Sequence, residues 1–212
     1  MTQHLTRGLL IAIEGIDGSG KTTQAQRLAE HLTNQGYEVI LTHEPTDSPY
    51  GRKIRSLAQS GRSALTADQE LKLFVEDRKY HIANVIAPAL EAKQIVITDR
   101  YYFSTIAYQG ARGLDPSAIQ QANEAFAPRP DLVLYLNVSP EAGLERIRQA
   151  RGEEPNLFER AEMLRDIRSI FASIDELYFV EIDAERNADD VFKDMLSNAE
   201  YALSYVHIHQ PA

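Results

Sequence analysis

A chain of 212 residues that is 43% hydrophobic has interior enough for one sizeable core and little room for a second large domain. Its formal charge of −9 argues against a nonspecific duplex-binding surface, which needs clustered Lys and Arg to displace counterions, so any phosphate ligand must be held locally. The absence of cysteine removes disulfides, thiolate metal sites and thiol nucleophiles and suits a reducing compartment, with the cytoplasm as the default expectation.

The polar start, Met1 to Arg7, and the brief apolar run after it suit neither a signal peptide nor a membrane span. No repeat, low-complexity stretch or linker divides the sequence, so residues 1–212 read as one domain. Leu9 to Ile13 is the first of several short runs rich in Ile, Val and Leu, as strands buried on both faces should be. Directly after it comes Gly15-Ile16-Asp17-Gly18-Ser19-Gly20-Lys21-Thr22, which satisfies the pattern G-x-x-x-x-G-K-[ST] and opens a helical segment, Thr22 to Gln35. Glycines let backbone N–H groups surround phosphate oxygens, and the helix N-terminus adds partial positive charge. Lys21 supplies a full charge, and the Thr22 hydroxyl can ligate Mg²⁺. A nucleoside triphosphate is the implied ligand. An N-K-x-D motif for guanine is absent, and the compact length favours a small-molecule kinase over a motor or transport ATPase.

A second strand, Val39 to Leu41, leads into a connection at His43 to Gly51 that carries two prolines. Ala67 to Ala92 reads as one long helix, on which Phe74 and Arg78 lie four apart and share a face. On residue type alone, the pair reads as a core Phe and a solvated Arg. The third strand, Ile95 to Ile97, ends in Thr98-Asp99-Arg100-Tyr101. There Asp99 can reach a metal or its waters, and Arg100 can grip an acceptor phosphate with two parallel hydrogen bonds. Gly110 to Pro116 reads as a loop and Leu132 to Leu136 as the fourth strand. Helices are expected at Ser139 to Ala150, Phe158 to Leu177 and Ala188 to Ser204, and Tyr178 to Ile182 is a weaker fifth strand. A short charged stretch interrupted by Pro155 suggests a lid near residues 148–157. The alternation predicts an α/β fold of P-loop NTPase type: a five-stranded, mostly parallel sheet with helices on both faces and ligands at the carboxyl ends of the strands. His207 and His209 alternate in the tail without a third ligand, so no structural metal is assigned.

Glu14 to Thr23, the Asp99-Arg100-Tyr101 triplet and Ser104-Thr105-Ile106-Ala107-Tyr108-Gln109-Gly110 together resemble thymidylate kinases. So do Glu44-Pro45, Arg129-Pro130-Asp131-Leu132 and Phe158-Glu159, and the likeness runs from about residue 9 to about residue 172 in the family's order and spacing. The resemblance implies transfer of the γ-phosphoryl group of ATP to dTMP, with Mg²⁺, no nucleic acid or membrane partner, and a homodimer formed through helices near the acceptor side. Residues 15–23, from Gly15 through Ser19 to Thr23, would then cradle ATP, with Lys21 following the transferring group. Thr22 and Asp99 would hold the metal shell, and Arg100 would fix the acceptor phosphate. The resemblance has Phe74 stack on thymine and Arg78 hydrogen-bond it. It places Glu44, Ser104, Thr105, Tyr108 and Gln109 around the nucleotide, with Tyr108 disfavouring a ribose 2′-hydroxyl, and Asp17 near the acceptor's sugar.

Two departures stand out. Some members carry an arginine in the P-loop where this chain has Gly18, and the compensating cation is then expected from the lid, at Arg151 first and Arg148 second. The common Arg-Glu-Pro-Gly-Gly reads His43-Glu44-Pro45-Thr46-Asp47, which removes an arginine and adds an acid, with Arg52 a partial replacement. Another nucleoside monophosphate kinase, a deoxynucleoside kinase and a noncatalytic nucleotide switch are the competing readings.

Overall fold

The computed structural model describes residues 3–60, 65–151 and 157–207. Strand β1 (Leu9–Glu14) is buried along its whole length at the centre of a five-stranded sheet of order β2-β3-β1-β4-β5. Strands β2 (Val39–His43), β3 (Ile95–Asp99), β4 (Leu132–Asn137) and β5 (Phe179–Asp183) complete it, and all four pairings are parallel. A central parallel strand has helices on both faces, so its side chains are apolar in both directions. Edge strand β2 is different: Leu41 is 43% exposed, and the expectation of burial on both faces fails there, at the edge of the sheet where no strand among the described residues pairs with its outer side.

Helix α1 (Lys21–Asn34) buries Ala25, Leu28, Ala29 and Leu32, a spacing that keeps one stripe against the sheet. It packs beside the last helix on that face. The expected 67–92 helix is broken. Helix α3 (Ala67–His81), opened by a Thr66–Gln69 capping box, gives way to a π-helical turn at Ile82–Ile86 and then to a short α4 (Ala87–Glu91). Pro88 is the physical reason, since it lacks an N–H and its ring crowds the carbonyl four residues back.

Two further helices start at the ends of the expected connections 43–51 and 110–116 and run through stretches to which the sequence reading assigns no element. Helix α2 (Pro49–Ser60) is capped by Ser48, whose Oγ accepts from the N–H groups of Tyr50 and Gly51 at 3.1 and 3.0 Å. After α5 (Tyr102–Gly110), helix α6 (Pro116–Glu124) starts with Asp115 as its cap and Pro116 in its first turn. The chain continues through α7 (Pro140–Arg151), α8 (Leu157–Ala172) and α9 (Ala188–His207). Tyr135 of β4 stacks on Phe171 of α8 and approaches Phe179 of β5, which in turn meets Phe103 of α5. This aromatic layer holds α5 and α8 on the sheet face opposite α1 and α9.

Ile13 pairs with Asp99 in register, so the turn after β1 and the turn after β3 open side by side at one rim. Glu44, just after β2, joins them. No helix among the described residues is long and apolar enough to cross a membrane.

Candidate active site

The turn between β1 and α1 is shaped by its glycines. Gly20 caps α1 at φ +93°, and a Cβ there would meet open space, so its backbone faces a cleft. Gly18, at φ +81°, has no such room: a Cβ would lie 2.1 Å from the carbonyl oxygen of Gly143 on α7. No side chain fits at position 18, which gives a physical reason for the missing P-loop arginine.

Lys21 is 6% exposed, and its Nζ donates to the Ile16 carbonyl at 2.8 Å and the Ser19 hydroxyl at 3.4 Å. Burial lowers its pKa to about 8, and the Arg100 charge pushes in the same direction. Thr22 Oγ1 donates to Asp99 Oδ2 at 2.5 Å, while the buried Asp99 Oδ1 has no partner among the described residues. A hydroxyl and an unsatisfied carboxylate oxygen side by side are hard oxygen ligands of the kind Mg²⁺ takes. Asp17, Gly18, Gly20, Lys21, Thr22, Thr23 and Asp99 all line this one cleft.

Arg100 forms the wall between this cleft and the next. Its backbone sits at φ +73°, unusual for a residue with a Cβ, and two bonds hold it there. The Arg100 N–H donates to the Ile13 carbonyl at 2.9 Å, and its own carbonyl accepts from Thr98 Oγ1 at 2.8 Å. The guanidinium donates to Asp17 Oδ1 at 2.6 Å, Ser104 Oγ at 2.9 Å, Gly15 O at 3.3 Å and Tyr108 OH at 3.3 Å. Burial works against its charge, but Tyr108, Asp17, Glu14 and Asp99 outweigh that and keep it protonated.

Beneath Arg100 lies Glu14, fully buried at the end of β1. Its Oε1 accepts from the N–H groups of Tyr101 and Ser104 at 2.8 and 3.0 Å, and its Oε2 accepts from Ser104 Oγ at 2.6 Å. The carboxylate therefore ties down the start of α5 and holds the serine that contacts Arg100. Burial raises its pKa to about 7, against the opposing pull of Ser104 and Arg100. Because the folded value lies above the ordinary 4.5, this group's contribution to stability is complete below pH 4.5 and is lost as pH rises to about 7. Glu14→Gln should remove that part of the pH dependence, so its melting temperature should fall less between pH 5 and 7.5 than that of the unaltered chain. Equal slopes in thermal melts would show that Glu14 does not titrate in this window.

The second cleft is walled by α2, α3 and α5. Arg78 is 1% exposed, so the solvated Arg expected on residue type alone is not found. Its Nε and NH2 donate to Glu44 Oε2 at 3.0 and 2.6 Å, NH1 donates to Asn123 Oδ1 at 2.6 Å, and NH2 donates to Thr105 Oγ1 at 2.9 Å. A guanidinium has five N–H donors, so one on NH1 has no partner among the described residues. Glu44 also meets His81 Nδ1 at 3.1 Å, which keeps its second oxygen occupied. Gln109, buried on α5, donates from Nε2 to Glu70 at 2.9 Å, while its Oε1 has no partner among the described residues. Phe74, half-buried, lines the same cleft with Arg78, Thr105, Tyr108 and Gln109, and Asp17, Arg100 and Ser104 close its inner end.

A family model described as Thymidylate kinase matches residues 13–195. The chain belongs to the thymidylate kinase family. A thymidylate kinase of Desulfotalea psychrophila is 46% identical over 196 residues, covering 92% of this chain and 96% of that protein. One from Xanthomonas euvesicatoria pv. vesicatoria is 50% identical over 186 residues, covering 88% and 80%. One from Xanthomonas campestris pv. campestris is 50% identical over 194 residues, covering 91% and 84%.

Several residues differ from what sequence reasoning singled out. In the altered loop after β2, Arg55 lines the second cleft, while Arg52 is exposed and bonds the Asp47 carbonyl, so Arg55 and not Arg52 is the cation of this loop that faces the cleft. Arg55 donates to the carbonyls of Pro45 and Thr46, both at 2.8 Å, and pairs with Asp47 at 2.5 Å. The added acid at Asp47 is thus neutralised, with its side chain 83% exposed. Asp77 pins the loop by accepting from the Thr46 N–H at 2.8 Å and from the Thr46 and Ser48 hydroxyls at 2.6 and 2.5 Å. On α7, Arg148 pairs with Glu145, and it is Arg146 that lines the P-loop cleft with Ile147 and Ala150. The 146, 147, 150 spacing of one helix face was available as a signal. The side chains of Arg151, Phe158 and Glu159, the segment 152–156 and His209 lie outside the described residues.

Proposed function

We propose that this chain transfers the γ-phosphoryl group of ATP to thymidine monophosphate, giving dTDP and ADP for dTTP synthesis. One observation carries the reading: the P-loop cleft and the cleft beside Phe74 share Asp17 and Arg100 as a common wall, so two nucleotides can meet phosphate to phosphate. Phosphoryl transfer needs alignment and charge neutralisation more than covalent chemistry. Lys21 and the backbone of residues 15–23 hold the ATP phosphates. Thr22 and Asp99 are the residues that would hold Mg²⁺, partly through water, and when bound it supplies charge neutralisation across those phosphates. Arg100 and Arg55 hold the acceptor phosphate. The resemblance assigns a further cation to Arg151, and the described cleft wall supplies Arg146.

The base is read by Arg78 and Gln109. The spare Arg78 donor matches the thymine O4, and the unpartnered Gln109 oxygen matches the imide N–H, while Phe74 offers a stacking face. Glu44 acts through Arg78, and Ser104 through Arg100. Thr105 bonds Arg78, and Tyr108 stands beside Asp17 at the sugar. A homodimer follows from the resemblance alone, and light scattering would measure its mass. A cytoplasmic setting suits the cysteine-free composition, and cell fractionation would test it.

Incubation with ATP, Mg²⁺ and a panel of nucleosides and monophosphates tests the function directly. dTMP should be converted to dTDP; phosphorylation of another acceptor without dTMP, or ATP binding without turnover, would refute it. Phe74→Ala should raise the KM for dTMP about tenfold with little change in the KM for ATP, the scale expected for loss of base stacking.

A further inference from the structure

Gln109 can present either end of its amide to the acceptor cleft, and the two ends have opposite chemical meaning. An oxygen facing the base accepts from an imide N–H, as in thymine. An NH2 facing the base donates to a ring nitrogen, as in cytosine. What decides between them lies on the far side of the residue. Gln109 Nε2 is 2.9 Å from Glu70 Oε2, and the same carboxylate oxygen receives Arg112 NH1 at 2.5 Å. Arg112 is itself anchored through NH2 to the Leu65 carbonyl at 2.9 Å. A carboxylate accepts and does not donate, so the orientation that turned the Gln109 oxygen toward Glu70 would set two acceptors against each other in a buried place.

We propose that Glu70, clamped by Arg112, is a positioning residue that fixes the Gln109 amide with its oxygen toward the acceptor base, and thereby selects thymine over cytosine. The inference rests on the reading of this cleft as the dTMP site. It explains why a buried acid on α3, outside the wall of the cleft, meets a polar residue on α5. It also accounts for Gln109 Oε1 as the buried acceptor without a partner among the described residues: the ligand completes it. Arg78 reinforces the choice, because its spare donor matches the thymine O4 and opposes the cytosine amino group.

The test is steady-state kinetics of the full chain with ATP and either dTMP or dCMP. Gln109→Glu sets two carboxylates against each other and should raise the KM for dTMP about tenfold or more, leaving the KM for ATP nearly unchanged. The exchange Glu70→Gln with Gln109→Glu restores one donor facing one carboxylate, keeps an acceptor for Arg112 and an acceptor for the imide N–H, and should recover most of that loss. Glu70→Leu frees the amide to turn and should lower the dTMP-to-dCMP ratio of kcat/KM about tenfold. A purely structural Glu70 would instead move the KM for both substrates and leave the ratio intact. An exchanged protein no better than Gln109→Glu, or an unchanged ratio in Glu70→Leu, overturns the inference. Should Glu70→Leu fail to fold, the charge-conserving exchange decides alone. Inactivity of the unaltered chain on dTMP would overturn the reading of the site and the inference with it. Activity without rescue overturns the inference only.

Discussion

Arg100→Ala should lower kcat/KM for dTMP by about 10²–10³-fold while leaving ATP affinity nearly unchanged, on the scale of removing one preorganised donor from a transition state. The guanidinium is already aimed before substrate arrives, held by Asp17, Ser104, Gly15 and Tyr108. Little reorganisation remains to be made at the moment of transfer. The unusual backbone does not confound the substitution. Arginine and alanine both carry a Cβ at φ +73°, and the bonds to Ile13 and Thr98 are made by main-chain atoms of residue 100. Arg100→Lys should fall between the two, since an ammonium keeps the charge but cannot bond Asp17, Ser104 and a phosphate through one planar fork. Rates from a coupled assay and ATP affinity from calorimetry separate the effects. An unchanged rate in Arg100→Ala would remove this residue from the mechanism.

What the sequence disclosed was mainly what is contiguous. The phosphate cradle is spelled by residues 15–22, and its chemistry depends on backbone that those residues shape themselves. Asp99 and Arg100 follow a strand, so their place at the sheet's carboxyl rim followed from topology. Arg78 was harder. Its burial depends on Glu44, Thr105 and Asn123, which are 34, 27 and 45 residues away, and no local pattern announces that such partners will converge. Gly18 is a similar case: the identity of the residue was plain, but its cause is the approach of Gly143 across the fold. Helices α2 and α6 are legible at their starts, because Ser48-Pro49 and Asp115-Pro116, each at the end of an expected connection, also spell a capping residue followed by a first-turn proline. The break at Pro88 could have been anticipated from the same rule.

Lys21→Met should abolish most phosphoryl transfer, by about 10²–10³-fold in kcat, and yet raise the melting temperature of the ligand-free chain. Both results come from one fact: an ammonium is held where burial disfavours it, with its pKa pulled down to about 8. The unfolded chain binds the proton more tightly than the folded one, so between pH 8 and 10.5 stability should rise with pH, and at neutral pH the charge is a cost to the fold. Methionine fills similar space without that charge. The Ile16 carbonyl it abandons still accepts from the Ser19 N–H at 3.3 Å, so no acceptor is orphaned. The melting temperature should therefore increase, by about 2–4 °C for each kcal/mol recovered, and its rise with pH above 8 should disappear. ATP phosphates supply the missing counter-charge and return the Lys21 pKa upward on binding. The unaltered enzyme should accordingly lose kcat/KM for ATP as pH climbs past about 8, while kcat holds to higher pH. A lower melting temperature in Lys21→Met, or coincident pH profiles for the two kinetic constants, would mean that this lysine is held for the stability of the turn and not kept charged at its expense for the triphosphate.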